Sequence, residues 1–214
     1  MLILNICIAF SLTLLIRSDL QNKRRLILIF KPLTILLIFI YALLGSSLLE
    51  NSIFSVFICL GLFFSIFGDT TLMFEKKFKI GMIFFLLAHL CYLKAIYSIQ
   101  GFYIHWSAIY ISCLFYIFYK KTLPIIPDKL KAPVLIYVTC ILFLIYQANA
   151  SIIYYFHYYL LYFNIGIVLF AVSDWILIID RYNPFKYRLL KLPLYFIGQW
   201  LIAYACTLDK SLLF

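Results

Sequence analysis

The chain has 214 residues, of which 66% are hydrophobic and only 12% are charged, and its mean hydropathy is +1.07. A soluble domain has about 45–50% apolar and about 25% charged residues, so this composition excludes a soluble enzyme, a disordered chain and a secreted disulfide scaffold. The six cysteines occur singly, without a CxxC pair, and we expect no disulfide framework, metal or other cofactor. The net charge of +10 resembles that of a nucleic-acid-binding protein. Basic membrane-flanking loops explain it better, and no nucleic-acid partner is expected.

Continuous apolar runs, rather than alternating ones, predict helices that cross a membrane. A helix needs about 20 predominantly apolar residues to span the hydrocarbon core. We therefore predict an all-α polytopic membrane protein, a bundle of eight transmembrane helices that forms one integral membrane domain over residues 1–214. The predicted spans are roughly 2–16, 29–49, 52–74, 80–99, 102–119, 133–149, 153–179 and 189–208.

Basic residues flank every second connection between these spans. The intervening connections, near Glu50-Asn51, Gln100-Gly101 and Gln147–Ala150, contain none. Because cytoplasmic loops are enriched in lysine and arginine, we predict four cytoplasmic loops and two outside termini in a bacterial inner (cytoplasmic) membrane. The fifteen flanking basic residues, of eighteen in the chain, are Arg17, Lys23, Arg24, Arg25, Lys76, Lys77, Lys79, Lys120, Lys121, Lys129, Lys131, Arg181, Lys186, Arg188 and Lys191.

A short internal similarity indicates a possible duplication. The third span contains GLFFSIFGD (Gly61–Asp69) and the seventh contains GIVLFAVSD (Gly166–Asp174), with the same spacing from glycine to aspartate. The offset of 105 residues carries four spans onto four spans, and an even number of spans preserves direction. This pattern predicts two parallel four-helix repeats, with halves 1–101 and 102–214.

Five polar residues on five different spans share a similar depth in the cytoplasmic half of the membrane. Counted at 1.5 Å per residue from the nearest basic or acidic boundary, each lies about 9–15 Å deep. A charge at the centre of a membrane helix costs about 2.5–3.5 kcal/mol on insertion scales, which makes such residues functional candidates. These residues are Lys31, Asp69, His89, Asp174 and Gln199.

Structural roles are the alternative for some of these residues. Pro32 is suited to the first turn of a helix, which would put Lys31 at the membrane boundary with its ammonium group reaching the headgroups. His89 and Gln199 are also suited to hydrogen bonds between helices. The two aspartates are harder to explain in this way, because a carboxylate has no inexpensive structural role in lipid.

The same residues lie in strings that resemble those of the YhhN-like family, the integral membrane lysoplasmalogenases. The strings are KPLT (31–34), GDTTLM (68–73), FFLLAHLCYL (84–93), GIVLFAVSD (166–174) and YFIGQWLIA (195–203). They run in order from about residue 31 to 205. The departures are mild: Gly198 and Ile167 stand where the family usually has alanine.

This resemblance implies an eight-span hydrolase that cleaves the vinyl ether bond of a lysophospholipid. The products are a fatty aldehyde and a glycerophospho-alcohol, and the expected partners are the lysophospholipid substrate and the lipid bilayer. Asp69 and Asp174 match polar motif positions of the family, and the chemistry of vinyl ether hydrolysis makes them the expected catalytic residues. The substrate-binding or supporting positions that the resemblance implies are Lys31, His89, Tyr92, Ser173 and Gln199.

Vinyl ether hydrolysis suits two carboxyl groups with different protonation. One protonates the β-carbon, and the other stabilises the resulting oxocarbenium ion and accepts a proton from water, as in glycosidases. Burial favours the neutral form of a carboxyl group, whereas a neighbouring lysine favours the ionised form. Lys31 could therefore hold one aspartate ionised, and we favour Asp174 as the acid and Asp69 as the base.

Two other readings stay open from the sequence. A metal-dependent hydrolase would combine His89 with the aspartates, although few nitrogen ligands are available. A transporter or lipid-binding protein would use the aspartates as a proton or cation site. The head group of the lipid and the oligomeric state are not fixed by these patterns.

Overall fold

The computed structural model describes residues 1–46, 52–183 and 189–208. The predicted all-α class is confirmed, because these ranges contain α-helices and short 3₁₀ turns and no strand. The predicted connection at Glu50-Asn51 and the basic residues Lys186 and Arg188 lie outside the described residues. The described helices are α1 (Leu2–Leu20), α2 (Arg24–Gly45), α3 (Ile53–Leu72), α4 (Phe78–Gln100), α5 (Ala108–Lys121), α6 (Asp128–Tyr154), α7 (Tyr158–Tyr182) and α8 (Lys191–Leu208).

Six of the described helices, α1 to α4, α6 and α7, are long and apolar enough to cross a membrane. Helix α5 has 14 residues, which corresponds to about 21 Å against a hydrocarbon core of about 30 Å. Helix α8 has 18 residues, with Lys191 at its start and Gln199 near its middle reducing its hydropathy. The structure thus supports a multi-pass membrane protein, and the number of eight spans stays a prediction.

Several predicted helix boundaries are wrong. The span predicted over 102–119 begins as a helix only at Ala108, because the preceding segment bonds to α6: Gln147 Nε2 donates to the Tyr103 carbonyl at 3.1 Å, and the His105 amide donates to Tyr146 Oη at 2.7 Å. The predicted connection at Gln147–Ala150 is also helical, since α6 continues to Tyr154.

Helix α2 begins five residues before its predicted start, at Arg24. Pro32 therefore lies inside the helix rather than in its first turn, and it leaves the Leu28 carbonyl without the usual amide partner. Lys31 is seven residues from the helix start, about 10 Å along the axis. This position takes its side chain into the bundle.

Large apolar side chains cover the outside of the bundle, as expected for a surface that faces lipid. Ile83, Ile136 and Ile165 are examples of exposed residues in three different helices. Hydroxyl groups within the helices bond to carbonyl groups one turn earlier: Ser65 donates to the Gly61 carbonyl at 3.0 Å and Thr34 to the Phe30 carbonyl at 2.7 Å. Few polar groups are thus left unpaired in an environment without water.

Helix α3 packs mainly on α4, and α7 packs mainly on α8. The second pair approaches very closely, because a Cβ added to Gly166 would lie 2.7 Å from the Gly198 carbonyl oxygen, and one added to Gly198 would lie 2.7 Å from the Gly166 oxygen. Only glycine fits this crossing. The two similar glycine–aspartate segments lie in the α3–α4 and α7–α8 pairs. The internal duplication stays a prediction.

Candidate functional site

A polar cavity of about 210 Å³ lies where α2, α3, α7 and α8 meet. The helix ends that meet there are those flanked by basic residues in the sequence: the beginnings of α2 and α8 and the ends of α3 and α7. The cavity brings three of the five predicted polar residues together, Lys31, Asp69 and Asp174. Its other polar lining residues are Asp19, Ser173, Lys191 and Tyr195.

Asp69 has a cation and a phenol as partners. Lys31 Nζ lies 3.0 Å from Asp69 Oδ1, and Tyr195 Oη donates to Asp69 Oδ2 at 2.6 Å. The Asp69 side chain is 2% exposed and that of Lys31 is 16% exposed. Both carboxylate oxygens are thus occupied, and the charge of Asp69 is balanced by a lysine from the neighbouring helix.

Asp174 has a different environment in the same cavity. Tyr137 of α6 donates a hydrogen bond to Asp174 Oδ2. Asp174 is 4% exposed, and among the described residues no ion pair involves it. The two carboxyl groups therefore differ in the way that matters for acid–base chemistry: one faces a cation and the other a neutral donor.

Ser173 and Lys191 tie α7 to the start of α8. Ser173 Oγ donates to the Lys191 carbonyl at 2.8 Å, and Lys191 Nζ lies 3.0 Å from Asp180 Oδ2. Lys191 and Ser173 both line the cavity. Lys191 thus lines the cavity while it is paired with Asp180, six residues beyond Asp174.

His89 does not line this cavity. Its Nδ1 lies 2.6 Å from the Phe85 carbonyl, which can only accept, so Nδ1 carries the proton. The ring packs against Phe170 (centroids 4.6 Å apart) and Tyr137 (5.4 Å). Nε2 is buried without a hydrogen-bond partner within the described part of the chain. His89 therefore contacts Tyr137, the residue that donates to Asp174.

Tyr92 and Gln199 belong to a separate buried network. Tyr92 Oη donates to Gln199 Oε1 at 2.9 Å, and Gln199 Nε2 donates to Ser65 Oγ at 3.1 Å. The network joins α4, α8 and α3, and neither Tyr92 nor Gln199 lines the polar cavity. Both side chains therefore connect helices. Gln199 lies one turn after Tyr195 on α8.

Of the five residues predicted at a similar depth, Lys31, Asp69 and Asp174 thus meet in one cavity, and His89 and Gln199 do not line it. The reason is geometrical: equal depth does not fix the face of a helix on which a side chain lies. Sequence reasoning also missed the carboxyl partners Tyr137 and Tyr195. Tyr195 had a usable signal, since it lies four residues before Gln199, whereas Tyr137 is one of 18 tyrosines without a distinguishing pattern.

The arrangement does not assemble a recognisable metal site. Over residues 1–46, 52–183 and 189–208, no three histidine, cysteine or acidic side chains lie close enough to share an ion. His89, which a metal-dependent hydrolase would need beside the aspartates, bonds instead to the Phe85 carbonyl.

The family assignment follows from the sequence comparison. The sequence model of the YhhN family matches residues 26–206. The chain belongs to the YhhN family. Comparisons with curated proteins and with solved structures give no match. The matched range of this YhhN-family protein contains Lys31, Asp69, Asp174 and both tyrosine partners, Tyr137 and Tyr195.

Proposed function

We propose that this YhhN-family protein is a membrane hydrolase that cleaves the vinyl ether bond of a lysophospholipid. The observation that carries the proposal is the pairing of two buried carboxyl groups in one cavity, with a lysine beside Asp69 and a phenol beside Asp174. The proposed vinyl ether hydrolysis uses one carboxylic acid and one carboxylate. The lysine beside Asp69 favours the carboxylate form there, and the absence of an ion pair at Asp174 among the described residues favours the acid form. Family membership supports the same reaction class.

Asp174 is the proposed acid. Its proton goes to the β-carbon of the vinyl ether, and the double bond becomes an oxocarbenium ion. The hydrogen bond from Tyr137 to Oδ2 leaves the other oxygen, Oδ1, to carry and transfer that proton. The same bond stabilises the carboxylate that forms when the proton has left.

Asp69 is the proposed base. Lys31 keeps it anionic, so it can face the oxocarbenium ion and accept a proton from the attacking water. The water oxygen bonds to the α-carbon and forms a hemiacetal. On collapse, Asp69 returns its proton to the departing glycerol oxygen and the hemiacetal hydroxyl protonates Asp174, so both groups are restored.

The polar end of the lipid is proposed to lie on the basic side of the bundle. Lys191 lines the cavity, and lysine or arginine side chains at the membrane surface attract phosphate groups. In this proposal the chain spans the membrane eight times with basic loops in the cytoplasm, and the cavity faces the cytoplasmic leaflet. Ser173 holds the start of α8, and hence Lys191, against α7.

The test is aldehyde release by the purified protein from a vinyl ether lysolipid, with the matching ester and saturated alkyl ether lysolipids as controls. The expected result is aldehyde from the vinyl ether only. Asp69→Asn and Asp174→Asn should each lower turnover by about 10²–10⁴-fold, the range of general acid–base catalysis. Near-normal turnover in both variants would overturn the proposal and favour a transporter or lipid-binding protein.

A further inference from the structure

A second cavity, apolar and about 240 Å³ in volume, lies between α5, α6 and α7. Asp174 and Tyr137 are in its wall, and Asp174 also lines the polar cavity. The carboxyl residue of the proposed acid is therefore shared by a polar and an apolar space. Six residues of the apolar wall are Leu114, Val138, Ile141, Ile145, Val168 and Val172, and this space is called the α5–α7 groove below.

The α5–α7 groove is long and is closed at both ends. Along α6 its wall runs from Tyr137 to Asn149, twelve residues or about 18 Å. At the Asp174 end, Trp175 Nε1 donates to Thr122 Oγ1 at 2.9 Å, which links α7 to the end of α5. The Phe118 and Trp175 rings, with centroids 5.8 Å apart, add to this closure.

Polar side chains close the opposite end of the groove. Asn149 donates a hydrogen bond to Tyr110 Oη, and Asn164 Nδ2 donates to Asn149 Oδ1 at 2.8 Å, so α5, α6 and α7 are joined there. Between the two ends, Val168 and Val172 are 38% and 42% exposed and also line the groove. The groove therefore opens sideways, on the surface that would face lipid.

Its dimensions and chemistry fit one kind of occupant. The hydrocarbon core of a bilayer is about 30 Å thick, so one chain in one leaflet occupies about 15 Å, close to the length of the groove. We propose that the α5–α7 groove binds the single hydrocarbon chain of the lysolipid, with the Asn149–Tyr110 pair limiting chain length. This inference rests on the proposed function, since it places the first carbons of the chain beside Asp174.

Binding can be measured without catalysis through Trp175, which lines the groove. In a Trp106→Phe, Trp200→Phe background, Trp175 is the remaining tryptophan. A saturated alkyl ether lysophosphoethanolamine with bromine on its chain should quench its fluorescence, and the bromine-free lipid should reverse the quenching by competition. Quenching that the bromine-free lipid does not reverse would come from bulk lipid and would overturn the proposal.

Val168→Phe fills the groove, and Ile165→Phe is its matched control, because Ile165 is 42% exposed on the same helix and does not line the groove. Val168→Phe should weaken binding and raise KM by about fourfold for each methylene excluded, hence more than tenfold for long chains. The rise in KM should become smaller as the substrate chain shortens, and Ile165→Phe should resemble wild type at every chain length. Asn149→Ala should move the preference toward longer chains.

The two proposals fail differently. If no vinyl ether lipid is cleaved but Trp175 is quenched and Val168→Phe abolishes quenching, the hydrolase proposal fails and the groove stands as a lipid site. If aldehyde is released but Val168→Phe and Ile165→Phe have equal KM values for every chain length, the groove proposal is overturned and the hydrolase stands.

Discussion

Lys31 on α2 and Asp69 on α3 form an ion pair of 3.0 Å inside the helix bundle, beside a cavity that also contains Asp174. Under the proposed function, a charge pair in this position is expected to have two separable effects. It holds two helices together, and it fixes the protonation of one of two carboxyl groups. The first effect belongs to stability and the second to chemistry, so paired substitutions can distinguish them.

Lys31→Met should destabilise the protein, because it leaves a buried carboxylate without its cation. Breaking a buried pair costs about 3–5 kcal/mol, and the partial exposure of Lys31 puts this case at the low end. Combining Lys31→Met with Asp69→Asn should recover most of the melting temperature without recovering turnover. The comparison pair is Lys191→Met with Asp180→Asn, which is more exposed and should show weaker coupling. Recovery of turnover in the Lys31–Asp69 double variant would show that the pair is only structural.

Tyr195→Phe and Tyr137→Phe should lower the stability of the folded protein by different amounts. A hydrogen bond to an ionised group contributes about 1.5–3 kcal/mol and a neutral one about 0.5–1.5 kcal/mol. If Asp69 is the carboxylate and Asp174 the acid in the resting protein, Tyr195→Phe should lower the free energy of unfolding by about 1.5–3 kcal/mol and Tyr137→Phe by about 0.5–1.5 kcal/mol. Tyr146→Phe is the control, since its bond to the His105 amide lies away from the polar cavity. A larger loss of stability for Tyr137→Phe than for Tyr195→Phe would reverse the proposed roles of the aspartates.

Gly166→Ala should destabilise the α7–α8 pair. The added Cβ would lie 2.7 Å from a backbone oxygen, which cannot move without separating the helices, and such overpacking costs about 1–3 kcal/mol. Gly81→Ala is the matched control in α4, because its Cβ would meet the flexible Leu72 side chain at 2.7 Å. Thermal unfolding in detergent should show a lower melting temperature for Gly166→Ala only. Equal melting temperatures would contradict the close crossing.

The direction of the chain in the membrane can be read with two cysteine probes. On a cysteine-free background, Ile104→Cys lies in the α4–α5 connection, where Ile104 is 81% exposed, and Lys129→Cys lies at the basic start of α6. A membrane-impermeant maleimide should label the first in intact cells and the second only after the cells are opened. Labelling of Lys129→Cys in intact cells would contradict the proposed orientation.

Composition and the spacing of charged residues were enough to predict an all-helical membrane protein and to select Asp69, Asp174 and Lys31. The reason is that a bilayer penalises charge so strongly that most charges are kept at helix ends, and those inside become conspicuous. The resemblance to the YhhN family, carried by short strings around the same residues, was available from the sequence in the same way.

Only the tertiary structure decided which polar residues meet. His89 and Gln199 have suitable depths but lie on helix faces directed elsewhere, and a change of one residue along a helix rotates a side chain by about 100°. The phenols of Tyr137 and Tyr195 reach the carboxyl groups from other helices, 37 and 126 residues away in the sequence, so no local pattern links each phenol to its carboxyl group. The asymmetry between the two aspartates, a lysine for Asp69 and a phenol for Asp174, arises from the packing of α2 on α3 and of α6 on α7.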